Sequence, residues 1–295
     1  MKTILLIDVM NEVRRAYAII PDIIDHEGRS INALVGLHNF FQRILKDLSL
    51  AGCAAAWTGT GATFRHHIFP EYKSHRSLPE SLVSQKELVI RYFTCVGVPQ
   101  YRCAGFEADD ILATLSTRLA QVGYSAVIDT ADKDLCSLVS DAVQIWNFRT
   151  QSLLGVQEVR EKFGVNPDLL PDYLALVGDS SDGIPGVPQV GPKRAAELLE
   201  RFGNIGQLLS RTSEMNEKDR IRIEAARGLI LRNLELTRLV KNLDLDLEPI
   251  LSPTTDIFAL QARVSEAGES LKKKDTSFLF AAPSSKGGES QRSLW

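Results

Sequence analysis

No apolar run in the chain approaches the ~20 residues needed to cross a bilayer, and the opening Thr3-Ile4-Leu5-Leu6-Ile7 is cut short by Asp8. A signal peptide and a membrane anchor are therefore not expected. Cysteine is scarce, and the four present, at 53, 95, 103 and 136, form no CxxC pair. Neither a zinc site nor a disulfide framework is suggested, and a reducing, cytoplasmic compartment is the default expectation. An excess of positive charge is also lacking, because the formal net charge is −3. Indiscriminate binding to nucleic acid is thereby disfavoured, since it needs a positive surface to displace counterions from phosphate. Glycine is missing where the first strand runs into Asp8-Val9-Met10-Asn11-Glu12, so there is no dinucleotide fingerprint, and no Walker loop occurs elsewhere.

What is present fits a soluble globular protein: 295 residues, 44% apolar and 24% charged, enough for one larger and one smaller domain. Short apolar runs (Thr3–Ile7, Cys53–Trp57, Ala126–Ile128) alternate with helical patterns over 31–48 and 80–95. That order predicts βαβ units and a parallel sheet. From Pro171 onward the patterns are helical, broken by Gly and Pro, with no convincing strand before about residue 240. The domains expected are thus an α/β domain over 1–170, a helical one over 171–252, a C-terminal packing segment over 253–280 and a disordered tail over 281–295.

Several acids fall where strands end or helices begin: Asp8, then Glu107, Asp109 and Asp110 before Ile111, then Asp132 and Asp134, then Asp179 and Asp182. The functional crevice of an open α/β sheet lies at the carboxyl ends of its strands, which makes these acids candidates for one site. Each one alone is equally readable as a helix cap or a surface acid. Eight converging carboxylates would repel one another and repel phosphate. Divalent cations resolve the conflict, because oxygen ligands suit Mg²⁺ or Mn²⁺ and a metal pair about 4 Å apart can activate water and stabilise a leaving oxygen.

Two further segments carry charge or glycine. Residues 61–76 set Arg65, Lys73 and Arg76, with His66, His67 and His75, against the single acid Glu71; a nucleic-acid contact and a merely solvated loop both fit. Gly186-Val187-Pro188-Gln189-Val190-Gly191-Pro192-Lys193 leads into a helical run from Arg194. Backbone N–H groups there, with Lys193, would face a phosphate oxygen, as a helix-hairpin-helix does when it grips DNA without reading sequence. An ordinary turn is the other reading.

Together these residues resemble the 5′→3′ exonuclease domain of bacterial DNA polymerase I and the related flap endonucleases, over roughly residues 3–250. The carrying motifs are Leu5-Leu6-Ile7-Asp8, Thr63-Phe64-Arg65-His66, Glu71-Tyr72-Lys73, Gly105-Phe106-Glu107-Ala108-Asp109-Asp110, Asp132-Lys133-Asp134-Leu135 and Gly178-Asp179-Ser180-Ser181-Asp182 with its hairpin. The resemblance implies an α/β, parallel-sheet, PIN-like 5′-nuclease domain with a helical arch at about 60–100 and a C-terminal helix-hairpin-helix (helix-three-turn-helix) domain. It implies one metal near Asp8, Glu107, Asp109, Asp110 and Asp132, and a second near Asp134, Asp179 and Asp182. Catalytic roles would fall to Tyr72, Lys73 and the phosphate-steering Arg15. DNA contacts would come from Arg65, Arg76, Gly186, Val187, Val190, Gly191 and Lys193, with K⁺ at the hairpin. The substrate implied is DNA with 5′ ends, flaps or nicks, and the missing polymerase domain implies action beside a DNA polymerase in trans.

Two departures bear on activity. Where the family has Phe-Asp after the second strand this chain has Trp57-Thr58, and the glycine that follows the first aspartate is Val9. The first Mg²⁺ or Mn²⁺ would be held more weakly, with Asp129, an acid where the family is apolar, as a candidate stand-in. A catalytically weakened paralogue that only binds DNA junctions is the alternative. Finally, Gln291-Arg292-Ser293-Leu294-Trp295 resembles the short peptides that dock on the bacterial sliding clamp.

Overall fold

The computed structural model describes residues 1–148, 150–252 and 256–281. In chain order the first half runs β1 (Lys2–Asp8), α1 (Val9–Ile19), α2 (Asn32–Asp47), β2 (Gly52–Trp57), α3 (Phe64–Ile68), α4 (Glu80–Val96), β3 (Gln100–Arg102), α5 (Ala108–Gln121) and β4 (Tyr124–Asp129). The second half adds β5 (Val143–Asn147), β6 (Ser152–Leu154), α6 (Val156–Phe163), α7 (Leu170–Val177), β7 (Gly178–Asp179), β8 (Ile184–Pro185), α8 (Pro192–Phe202), α9 (Ile205–Ser210), α10 (Glu217–Ala225), α11 (Arg227–Thr237), α12 (Glu248–Leu251) and α13 (Ile257–Lys272). No described helix is long and apolar enough to cross a membrane.

The chain forms two compact units. The first comprises Met1–Gly59, Ser77–Ala131 and the described residues from Lys241. Its sheet is parallel in the order β3-β2-β1-β4, with Asp8 opposite Ala56 and Ile7 opposite Asp129. The central strand β1 is buried from Ile4 to Asp8, as expected of a strand covered on both faces. Its apolar run ends at Asp8 because Asp8 caps α1, accepting the Asn11 N–H at 3.3 Å. Helix α13 packs on α2 and α4, joining the C-terminal segment to the N-terminal core.

The second unit comprises Thr60–Arg76 and Asp132–Val240. Here α7 packs against α8 and α11, while β5 and β6 form a hairpin. The expectation of no strand between 171 and 240 needs correction: β7 and β8 make a two-residue antiparallel ladder around the loop 180–183. Its signature was hidden in glycine. Gly178 has φ +80°, and a Cβ on Gly186 would lie 2.1 Å from the Val177 carbonyl oxygen, so the tight ladder admits no side chain at either place.

By compactness residues 132–170 group with the helical half, and the 3₁₀ turn Asp134–Leu138 packs on α7. Within the segment 60–100, residues 60–76 belong to the second unit and 77–100 to the first. Leu82, Leu88, Val89, Tyr92, Phe93 and Val96 bury one face of α4, which makes it a core helix. Residues 282–295, with the Gln291–Trp295 motif and nearly all of the expected tail, lie outside the described residues.

Candidate metal centre

In the second unit, Asp134 opens the 3₁₀ turn, Asp179 ends β7 and Asp182 lies in the loop between β7 and β8. Each offers a carboxylate oxygen, and these oxygens lie within 4.8 Å of one another. Among the described residues no other three acid, His or Cys side chains meet that spacing. Asp134 Oδ1 is buried and has no hydrogen-bond partner. Burial, then repulsion from Asp132, Asp182 and Asp179, pushes the Asp134 carboxyl well above the usual carboxylate range. Burial also raises Asp182, against the pull of Lys73 and Arg76. Burial would raise Asp179 too, but Lys133 Nζ at 2.5 Å and the Ser181 hydroxyl at 2.7 Å outweigh it and hold Asp179 low. Clustered carboxylates, one with an orphaned oxygen, match the donor set of a hard divalent cation. A cleft of about 580 Å³ opens beside Asp179, lined in part by Phe69, Ser180 and Ile184.

The basic segment wraps this loop. Arg76 Nη2 reaches Asp182 Oδ1 at 2.6 Å and donates to the Ser181 carbonyl at 2.9 Å. Lys73 Nζ lies 3.6 Å from Asp182 Oδ2, and the Lys73 N–H donates to the Asp182 carbonyl at 3.0 Å. Two expectations for this segment are corrected. Tyr72, expected to act on the substrate, is instead 2% exposed, packed with Ile184 and Leu236, and its hydroxyl donates to Asp182 Oδ2 at 2.9 Å. Arg65 is also 2% exposed. Its guanidinium donates to the Leu236 carbonyl at 2.8 Å and the Arg238 carbonyl at 3.0 Å, so it caps the C-terminal end of α11 rather than reaching DNA.

In the first unit, Asp8 accepts the Thr130 hydroxyl at 2.9 Å. Glu107 and Asp110 stand at the start of α5, both buried, with Asp109 half-buried. Asp110 Oδ2 accepts the Glu107 N–H at 3.1 Å, so part of its capacity is spent on capping the helix. Thr58 Oγ1 accepts the next N–H, that of Ala108, at 3.2 Å. Thr58 therefore serves the same helix terminus as Asp110. Asp132 belongs to the other unit, where its Oδ1 accepts the Asp134 N–H at 3.0 Å.

Asp129 is not the expected stand-in. It pairs in register with Ile7, so its side chain leaves the sheet on the face opposite Asp8, which accepts instead from Thr130, the residue after β4. There it meets Glu12 of α1 in a hydrogen-bonded pair of carboxyl groups, each 1% exposed. Burial pushes Glu12 up to about 7 against the influence of Arg15, whose Nη2 contacts Glu12 Oε2. Sequence reasoning overlooked Glu12. Its signal was an acid on a helix face otherwise made of Val9, Val13 and Ala16.

The hairpin before α8 divides in two. Val187 and Val190 are buried, and their N–H groups donate to the Leu176 carbonyl at 2.8 Å and the Val187 carbonyl at 3.0 Å. These two residues anchor the turn, and their N–H groups are already used. Gly191 caps α8 ahead of Pro192 at its first position, and Lys193 is exposed beside them. A Cβ on Gly191 would meet nothing within 4 Å, so internal packing does not demand glycine there.

Residues 3–164 match the family model described as 5′-3′ exonuclease, N-terminal resolvase-like domain, and residues 165–255 match that of the 5′-3′ exonuclease, C-terminal SAM fold. Flap endonuclease Xni of Shewanella sediminis is 34% identical over 248 residues, covering 84% of this chain and 95% of the relative. A 5′-3′ exonuclease of Aquifex aeolicus is 28% identical over 298 residues, 100% of both chains. DNA polymerase I of Rhizobium leguminosarum is 32% identical over 292 residues, but the chain spans only 28% of its length. Among solved structures, a bacteriophage T5 D15 flap endonuclease complex with DNA and metal ions aligns with a TM-score of 0.66 at 19% identity, over 91% of this chain and 100% of that one. The catalytic core of Rad2 with a DNA substrate aligns with a TM-score of 0.56 at 14% identity, over 92% and 90%. At such identities the likeness concerns the fold.

Proposed function

The chain belongs to the 5′-3′ exonuclease family, and from that premise we propose that it hydrolyses phosphodiester bonds of DNA at 5′ ends, flaps or nicks, using divalent cations. The observation that carries this reading is the trio Asp134, Asp179 and Asp182, with its orphaned buried oxygen and its flanking cations Lys73, Arg76 and Lys133. An Mg²⁺ or Mn²⁺ ion held there would, when bound, neutralise phosphate charge and ease deprotonation of an attacking water. Tyr72 fixes the rotamer of Asp182 through its hydroxyl. Lys73 and Arg76 offset the charge of the same carboxylate and stand where an incoming phosphate would compete for them.

Asp8, Glu107 and Asp109 are the residues we assign to a first cation, held less tightly because Thr58 is neutral. Arg15 is assigned to a substrate phosphate, and residues 171–252 to gripping duplex DNA through Gly191, Lys193 and the first turn of α8, with K⁺ as a further ligand of the hairpin. Gln291–Trp295 is assigned to a sliding clamp, a contact that a titration of the 283–295 peptide against the clamp tests directly. The decisive experiment for the main reading incubates the purified protein with a 5′-flap duplex in Mn²⁺ and in EDTA. Cleavage in Mn²⁺ alone is expected; tight binding without cleavage would overturn the reading in favour of a junction-binding protein.

A further inference from the structure

Glu12 and Asp129 make a pair that packing does not call for. Both are enclosed, they are hydrogen-bonded to each other, and Asp129 Oδ2 has no hydrogen-bond partner. Two acids buried in contact are unfavourable, and apolar residues of similar size would fill the space under α1 at lower cost. What the pair reaches is Arg15, one helical turn beyond Glu12. The Arg15 guanidinium contacts Glu12 Oε2 and lies 5.0 Å from the centre of the Phe40 ring. Its side chain, 19% exposed, is the only part of this stack that extends toward the surface, since Glu12 and Asp129 are each 1% exposed. A guanidinium is rigid and planar, so engaging one edge sets the direction of its other N–H groups. A lysine, or an arginine without a buried partner, would sample many rotamers and lose that entropy on meeting a ligand.

We propose that Glu12, braced by Asp129 at the end of β4, is a positioning residue for Arg15, holding the guanidinium in one orientation to receive a phosphate of the DNA strand. The inference rests on the assignment of Arg15 to a substrate phosphate made above. It accounts for an acid on the apolar face of α1 and for a second acid in contact with it.

The test is a double-mutant cycle on flap binding, read by fluorescence anisotropy with a labelled 5′-flap duplex in EDTA, so that it does not depend on catalysis. Arg15→Ala should weaken binding about tenfold, the size of a lost charge-assisted contact. Glu12→Ala should weaken it by several-fold, and the double variant should bind no more weakly than Arg15→Ala alone. Glu12→Gln, which keeps an oxygen acceptor for Arg15, should restore most of the affinity. A residue with a merely structural role would lower the thermal midpoint and add its effect to that of Arg15→Ala. Additive losses, or wild-type affinity in Glu12→Ala, would overturn the proposal. Cleavage in Mn²⁺ is measured on the same proteins. A wild type that cuts while the cycle is additive leaves the nuclease standing and removes the positioning role. A non-additive cycle in a protein that does not cut does the reverse, and a wild type that neither binds nor cuts removes both.

Discussion

Replacing Asp134 by Asn tests the metal centre through stability as well as activity. Asp132, Asp134, Asp179 and Asp182 influence one another here, faced by Lys73, Arg76 and Lys133, and Asp134 has the orphaned oxygen. Its carboxyl is raised by burial first and by its neighbours second. A raised acid stabilises the fold fully only below its unfolded value, and that contribution is lost as pH rises through the folded one. Asn has no such slope and keeps the shape. In EDTA above neutral pH, Asp134→Asn should therefore be more stable than wild type by roughly 1–3 kcal/mol, because the neutral amide removes a desolvated charge and its repulsion from Asp132, Asp182 and Asp179. At about 2–4 °C per kcal/mol for a chain of this size, the thermal midpoint should rise by about 2–12 °C. Mn²⁺ at a hundredfold excess over its dissociation constant should stabilise wild type by about 2.7 kcal/mol, and the variant far less, because a ligand carboxylate has become an amide. The two proteins should thus change order between EDTA and Mn²⁺, a crossing that thermal unfolding followed by intrinsic fluorescence resolves. Cleavage should vanish in the variant while flap binding persists. A lower midpoint in EDTA, or an equal gain from Mn²⁺, would refute the reasoning.

Thr58→Asp should lower the Mg²⁺ concentration for half-maximal cleavage by adding a carboxylate beside α5; an unchanged requirement would show that the first site does not depend on position 58. Arg65→Ala should lower stability by at least about 2 kcal/mol, since two carbonyls at the end of α11 lose their donor; urea unfolding measures this, and lost DNA affinity without lost stability would contradict it. Lys193→Ala should weaken binding to all duplex sequences alike and reduce the salt dependence by about one phosphate contact; selective loss at particular sequences would count against it. Glu12 is raised from the usual 4.5 to about 7. Its contribution to stability is full below about pH 4.5 and lost as pH rises through 7, so Glu12→Gln should gain on wild type between pH 5 and pH 8 by up to about 3 kcal/mol. Parallel urea midpoints at the two pH values would exclude the shift.

The sequence alone determined what depends on near neighbours in the chain. The run ending at Asp8 and the acids opening α5 are a strand end and a helix start, written within a few residues of one another, and they were read correctly as such. Periodicity likewise marked the parallel α/β half and the helical half. Tertiary structure decided what depends on which distant segments meet. Asp134 joins Asp179 and Asp182 across more than forty intervening positions, and Tyr72 reaches Asp182 from over a hundred away. Arg65 and Tyr72 were expected at the DNA substrate but are buried, and nothing along the chain carries information about which side chain another helix will cover. Asp129 was drawn as a substitute ligand from its place in the chain. The pairing of β4 with β1 turned it to the opposite face, because alternation along a strand assigns faces only once the register is set.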